Sequence, residues 1–343
     1  MEFQFRSLNT RDNMTETQTT LPVAVVLPTY RCRAYLPEHL DAVRAWAGLV
    51  EEIVVVDSFS DDGTPEFLKE QLSLPNVRFH CHPRGLYQSW NFGISQISAK
   101  YTYISTVGDV ITQDGLKHLV AVAEQFQADV TLSPPRFVNS DGGVAENSQW
   151  PIQDLIQWLG IDRPTAISSV HAFLMSALAI PQGIMGSSAS NLYRTESLKT
   201  HPFPTSFDPA GDTAWSLQHG LRTRFAVTPS SVANFLFHPK EKMPNPEQEE
   251  RLFDALFDLA LAACEAPDRR ELLPLLANLR GEITELKRRS RVYDRWRKHP
   301  WPWILRLSGW VVRGRRNWQR SKVQRIRAEI CSKFGLHPHR TEP

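Results

Sequence analysis

No stretch of the 343-residue chain holds the ~18 to 20 consecutive apolar residues that a membrane-spanning helix needs. Residues 1–20 are polar, with no apolar centre that a secretory signal could use, so the expected setting is cytoplasmic. The four cysteines, Cys32, Cys81, Cys264 and Cys331, stand far apart and form no C-x-x-C pair. That spacing argues against structural zinc and against a disulfide framework, and fits a reducing compartment. Several catalytic signatures are missing too: there is no G-x-x-x-x-G-K-[ST] phosphate loop, no G-x-S-x-G nucleophile turn and no H-E-x-x-H zinc motif. The first apolar strand is not followed by a dinucleotide-binding glycine fingerprint. No internal repeat is present.

What is there begins with an uneven charge. The formal net charge is only +2, yet residues 280–329 carry 16 Lys/Arg against 4 Asp/Glu, leaving the rest of the chain acidic. Five of the ten tryptophans fall in the same region: Trp296, Trp301, Trp303, Trp310 and Trp318. Tryptophan with arginine over residues 293–327 suits a helix lying on an anionic membrane surface, here the inner face of the cell membrane. The same pattern suits a helical appendage packed on the main body with its arginines in water. Nucleic acid would need the same charge, but no known binding motif accompanies it, and it ranks last.

Along the chain, apolar strands alternate with amphipathic helices. Residues 23–30 (VAVVLPTY), 51–57 (EEIVVVD), 77–82 (VRFHCH), 100–106 (KYTYIST) and 128–134 (ADVTLSP) read as strands. The segments between them read as helices, with Thr64 the expected N-cap of the second and Pro65 its first residue. This order predicts an α/β fold: a mainly parallel sheet with helices on both faces. Ligands bind such sheets beyond the carboxyl ends of the strands. Thr29, Asp57 and Asp109 are expected at the ends of the first, second and fourth strands, forming one acidic pocket. Residues 148–185 interrupt the alternation as a helical insert, followed by a glycine-containing loop around Gly186. The organisation expected is a leader over 1–20, a main domain over 21–240 and a helical, basic, Trp-rich region over 245–335.

Several stretches, in order across residues 22–240, resemble glycosyltransferase family 2, the inverting group with the glycosyltransferase-A fold. They are LPTYRCRAYLPEHL, EEIVVVDSFSDDGT, RGLYQSWNFGISQISAKYTYIST, GDTAWSLQHG and FLFHPKE. The resemblance implies transfer of a sugar from a nucleotide-diphosphate sugar to a sugar or lipid-linked acceptor, in cell-surface polysaccharide or glycolipid assembly. It places Asp57 on the nucleotide base and makes Gly85 and Asn91 substrate-binding candidates. Thr29 joins them from its strand end, Arg84 as a cation for the phosphates, and Gly186 from a loop that either offers backbone N–H groups to substrate or merely returns from the insert. Asp61 and Asp62 read as turn and capping residues instead. Asp212 becomes the catalytic base. Asp109 and His238 become candidate ligands for Mg2+ or Mn2+.

Two departures from the family pattern bear on the chemistry. Val107 stands where the first carboxylate of a D-x-D pair is usual, leaving Asp109 alone, and Gly211 stands where a first acid usually precedes Asp212. A metal-free site with Arg84 or Lys240 facing the phosphates is therefore a competing expectation. So is a non-catalytic protein that binds nucleotide sugars or acts as a scaffold at a membrane.

Overall fold

The computed structural model describes residues 20–139, 142–145, 149–236, 246–297 and 305–337, without the side chains of 246, 268, 295–297 and 305–312. Its elements, in chain order, begin with β1 (Leu21–Thr29), α1 (Leu36–Trp46), β2 (Val50–Asp57), α2 (Thr64–Gln71), β3 (Val77–Cys81), α3 (Leu86–Ser95) and β4 (Tyr101–Ile104). Then come β5 (Val110–Ile111), α4 (Gln113–Phe126), β6 (Val130–Leu132), β7 (Arg136–Val138), α5 (Pro151–Trp158), β8 (Thr165–Ile167) and α6 (Ser169–Ala179). The chain continues through β9 (Asn191–Arg194), α7 (Thr195–Thr200), α8 (Gly211–His219), β10 (Phe225–Val227) and β11 (Ala233–Leu236). Three longer helices follow: α9 (Pro246–Ala263), α10 (Leu272–Arg297) and α11 (Leu305–Lys333).

Eight strands form one sheet in the order β3-β2-β1-β4-β9-β6-β10-β8. The pairs β1/β2, β2/β3, β1/β4 and β6/β10 are parallel. The strand β9 runs antiparallel between β4 and β6, and β8 closes the far edge antiparallel to β10. The apolar runs in β1 and β2 are continuous because both faces are covered. Ala24, Val26, Val54 and Val56 point to the side of α3, α6 and α8, whereas Val23, Val25, Leu27, Ile53 and Val55 point to the side of α1 and α4. A second sheet, β5-β11-β7, stands apart from the first.

Three details differ from the sequence expectation. Helix α2 begins at Thr64 itself, after Gly63 in the left-handed conformation (φ 82°). The Thr64 hydroxyl accepts from the Cys32 N–H at 3.1 Å, so Gly63 and not Thr64 is the N-cap, and Asp62 Oδ1 accepts the N–H of the first helical residue, Thr64, at 3.2 Å. The insert is not wholly helical, since β8 lies between α5 and α6. Helix α6 is buried along 172–178, making it part of the core.

The C-terminal helices share that core. Helix α9 contributes Phe253, Leu256 and Phe257; α10 contributes Leu276, Leu279 and Ile283; α11 contributes Val323, Ile326 and Ile330. Helices α10 and α11 lie side by side in opposite directions, with Gln319 donating to Glu282 O at 3.0 Å and Lys322 paired with Glu282 at 2.7 Å. The end of α11 docks on the insert, where His171 Nε2 lies 2.7 Å from Phe334 O and the His337 N–H donates to Trp158 O at 3.1 Å. Trp318 is exposed, and the side chains of Trp296, Trp301, Trp303 and Trp310 fall outside the described residues. Among the described residues no helix is long and apolar enough to cross a membrane.

Candidate active site

The ends of β1 and β2 are in register at Thr29 and Asp57, so the two side chains meet. Thr29 Oγ1 donates to Asp57 Oδ1 at 2.9 Å. The following turn folds back on the same carboxylate: Ser60 Oγ donates to Oδ1 at 2.7 Å and the Ser60 N–H donates to Oδ2 at 2.8 Å. Asp57 is therefore first a turn organiser, with capacity on Oδ2 for one further donor. Asp61 pairs with Arg31 at 2.7 Å, and Asp62 accepts the Arg33 N–H at 3.1 Å. These two acids tie the loop after β1 to the loop after β2. The Arg84 guanidinium is exposed and sits 4.3 Å from the centre of the Tyr30 ring, placing a cation beside the end of β1. Gly85 precedes α3, whose first turn brings Ser89 Oγ within 3.2 Å of Ser58 Oγ.

Asp109 is not at the tip of β4, contrary to expectation. It stands five residues beyond Ile104, after a turn with Gly108 at φ 98°. The small second sheet holds it there: the Leu236 N–H of β11 donates to Asp109 Oδ1 at 3.0 Å. Burial pushes the Asp109 pKa up to about 7, against the pull of that single N–H. Val107 packs toward the apolar layer beneath. Among the described residues no three His, Cys, Asp or Glu converge on one point, and His238 and Lys240 fall outside the described residues. A buried carboxylate whose charge meets one N–H suits a hard divalent cation, but one carboxylate alone is an incomplete ligand set.

Asp212 lies in the first turn of α8 and is partly buried. Its Oδ1 accepts the Thr213 N–H at 2.7 Å and the Tyr87 hydroxyl at 3.1 Å. The Tyr87 hydroxyl also lies 2.9 Å from Pro209 O, so it divides its proton between two acceptors. Both of these bonds to Asp212 fall on Oδ1. Burial pushes the Asp212 pKa up to about 6, while the bonds from Thr213 and Tyr87 hold it down. Gly211 has no room for the acid usual in the family: a Cβ there would stand 2.7 Å from the Tyr87 ring and 2.8 Å from Pro204 O.

Residues 24–181 match the family model described as Glycosyl transferase family 2. This stretch has the glycosyltransferase family 2 fold. The match includes Asp57 and Asp109 and stops short of Asp212. Among curated proteins, glycosyltransferase GlyA of Streptococcus pneumoniae is 27% identical over 124 residues, 36% of this chain and 18% of the relative. The chain thus aligns with less than a fifth of that protein's length. Among solved structures, S. aureus TarS 1-349 in complex with UDP has a TM-score of 0.55 at 18% identity, over 74% of this chain and 69% of that one. The same protein in complex with UDP-GlcNAc gives a TM-score of 0.57 at 18% identity, over 74% and 70%.

Helix α3 is the bridge between the matched stretch and Asp212: Ser89 reaches the end of β2, and Tyr87, two residues earlier, reaches Asp212. Tyr87 is the residue sequence reasoning missed, and its place just after Gly85 on the first turn of the helix is the signal that could have found it. Asn91 is placed otherwise than expected. Its amide donates to Phe203 O at 2.8 Å and accepts the Phe203 N–H at 3.0 Å, so it holds backbone and is not presented to a ligand. Gly186 lies against the Trp150 ring so closely that a Cβ would overlap it. A cavity of about 480 Å3, lined by His201, Trp215, His219 and Arg222 among others, lies where β6 and β10 begin and contains none of the groups above.

Proposed function

We propose that the protein transfers a sugar from a nucleoside diphosphate sugar to an acceptor hydroxyl with inversion, in cell-surface polysaccharide or glycolipid assembly. The observation that carries this reading is the environment of Asp212. A carboxylate with its pKa pushed up to about 6 is ionised at neutral pH yet basic enough to accept a proton. Asp212 Oδ2 takes the proton of the acceptor hydroxyl as its oxygen bonds to the anomeric carbon. The bond from that carbon to the diphosphate breaks on the opposite face, and the nucleoside diphosphate leaves with the electron pair. One displacement inverts the centre and needs no covalent enzyme intermediate.

Thr29 and Asp57 face the nucleoside end, and Arg84 supplies a bidentate cation for the phosphates. Were Mg2+ or Mn2+ to bind, Asp109 would be its one carboxylate ligand among the described residues, and the ion would supply positive charge for the departing diphosphate. The UDP and UDP-GlcNAc bound by the structural neighbours make uridine diphosphate sugars the first donors to try. Exposed Arg313, Arg315, Trp318 and Arg320 on α11 support a second element of the proposal, contact with an anionic membrane that carries a lipid-linked acceptor.

A second reading, a non-catalytic binder of nucleotide sugars, draws on Val107 and Gly211, where the usual acids are missing. A thermal-shift screen of nucleotide sugars, with and without Mg2+ or Mn2+, followed by transfer assays on Asp212→Ala, separates the two. Binding with turnover that Asp212→Ala abolishes supports the transferase. Turnover that survives the substitution refutes the assignment of the base, and binding without turnover favours the second reading.

A further inference from the structure

The turn after β2 holds a feature that the fold does not require. Phe59 has φ 53°, in the left-handed region that bulky side chains avoid. The residue is 64% exposed and lies outside the core that could compensate for the conformation. Glycine, asparagine or aspartate would occupy the position at lower cost.

The residues on either side are pinned. The Ser58 N–H donates to Thr29 O at 2.9 Å, and Ser60 gives its N–H and hydroxyl to the two oxygens of Asp57. The Arg31 N–H donates to Ser60 Oγ at 2.9 Å, closing the loop from the other side. Strained residues persist where their surroundings over-determine them, and they gather at ligand clamps. Here, bonds to Asp57, Thr29 and Arg31 fix a turn whose one outward-facing large side chain is Phe59.

We propose that Phe59 is the stacking surface for the base of the donor nucleotide, and that the Asp57 turn exists in part to present it. This rests on the reading of the protein as a user of nucleoside diphosphate sugars. Asp57 retains capacity for one donor at the edge of a base, and edge contacts alone leave the two faces of the base in water. A flat ring two residues along the same turn covers one of those faces. Base–aromatic stacking tolerates different bases, so Phe59 contributes affinity more than it selects among them.

The test titrates wild type, Phe59→Gly and Phe59→Trp with UDP, GDP and TDP by calorimetry, and records each melting temperature without ligand. Phe59→Gly is expected to melt higher than wild type, because glycine relieves the left-handed strain, and to bind about tenfold or more weakly. Phe59→Trp is expected to retain affinity. Equal affinity in wild type and Phe59→Gly, where wild type binds, overturns the stacking role and leaves the donor-binding reading standing. A lower melting temperature in Phe59→Gly overturns the strain argument on which the role is built. If wild type binds none of the three nucleotides, the donor-binding reading fails and the role of Phe59 fails with it.

Discussion

The Tyr87 phenol and the Asp212 carboxylate, 125 residues apart in the chain, meet through a 3.1 Å hydrogen bond. The position of Tyr87 is set by its ring, which packs against Trp90 at 5.0 Å and Phe203 at 5.7 Å between centroids. Its pKa is raised by burial, so the phenol remains a donor throughout the working range. A donor to a carboxylate favours the charged form. Tyr87 is thus a positioning residue that keeps Asp212 ionised.

Replacing Tyr87 by Phe removes that donor and leaves the aromatic packing in place. The expected cost in stability is modest, about 1 kcal/mol. The pKa of Asp212 then rises above its value of about 6, and the acid limb of the kcat/KM profile moves to higher pH. Activity near pH 8 largely survives. A pH–rate profile that does not move would show that Tyr87 does not tune the base.

The two buried acids also set how stability depends on pH. The folded-state pKa of Asp109 is about 7 and that of Asp212 about 6, both above the ordinary 3.8. The folded protein therefore holds these protons more tightly than the unfolded chain does. Their protonated forms favour folding below pH 3.8, and that contribution is lost as pH rises through 6 to 7. Asp109→Asn retains an oxygen for the Leu236 N–H and removes the buried charge. Its melting temperature is expected to exceed that of wild type by several degrees at pH 8 and to match it near pH 4. Any stabilisation of the protein by Mg2+ or Mn2+ with donor is expected to disappear. Equal melting temperatures at pH 8 would mean that the Asp109 charge is compensated in the native protein.

The half of the fold nearest the N-terminus was legible because its strands are long and buried on both faces. Runs such as IVVVD in β2 cannot be mistaken for amphipathic structure. The strands that complete the sheets were not legible for the opposite reason. With two to four residues each, β5, β8, β9 and β11 show no period, and partners distant in the chain fix them. The same limit explains the site. Thr29 and Asp57 could be placed because they end readable strands. Asp109 was misplaced because β5 and β11, which hold it, are too short to read. Asn91 looked like a ligand contact because nothing local reveals that Phe203 needs its amide.

Restoring the usual acid at position 211 is expected to harm the protein. An aspartate Cβ there meets the Tyr87 ring and Pro204 O, so the helix start or Tyr87 must move. Overpacking of this kind costs about 1–3 kcal/mol. Gly211→Asp is therefore expected to melt lower and to lose activity through displacement of Tyr87 from Asp212. Gly211→Ala gives the same direction through the Cβ alone, without an added charge. Combining Gly211→Ala with Tyr87→Leu tests the cause: the loss in stability is expected to be less than additive, because both changes act at one contact. Strict additivity would place the conflict elsewhere.

The packing of α11 decides how its contact with a membrane must be tested. A chain ending near residue 290 would lose Val323, Ile326, Ile330 and Leu336 from the common core, together with the contact of His171 to Phe334 O. Such a truncation is expected to aggregate or melt far below the full chain, and its behaviour on vesicles would be uninformative. The full chain carrying Arg313→Glu, Arg315→Glu and Arg320→Glu retains every buried position of α11, because all three arginines are exposed. Each arginine near an anionic surface is worth about 1 kcal/mol. Losing three is then expected to lower binding to phosphatidylserine vesicles by about two orders of magnitude at low salt, with the melting temperature little changed. Wild-type binding should weaken as salt rises, since the attraction is screened. Flotation that is unchanged by the triple substitution, or that is indifferent to salt, would assign the basic face of α11 to solvent.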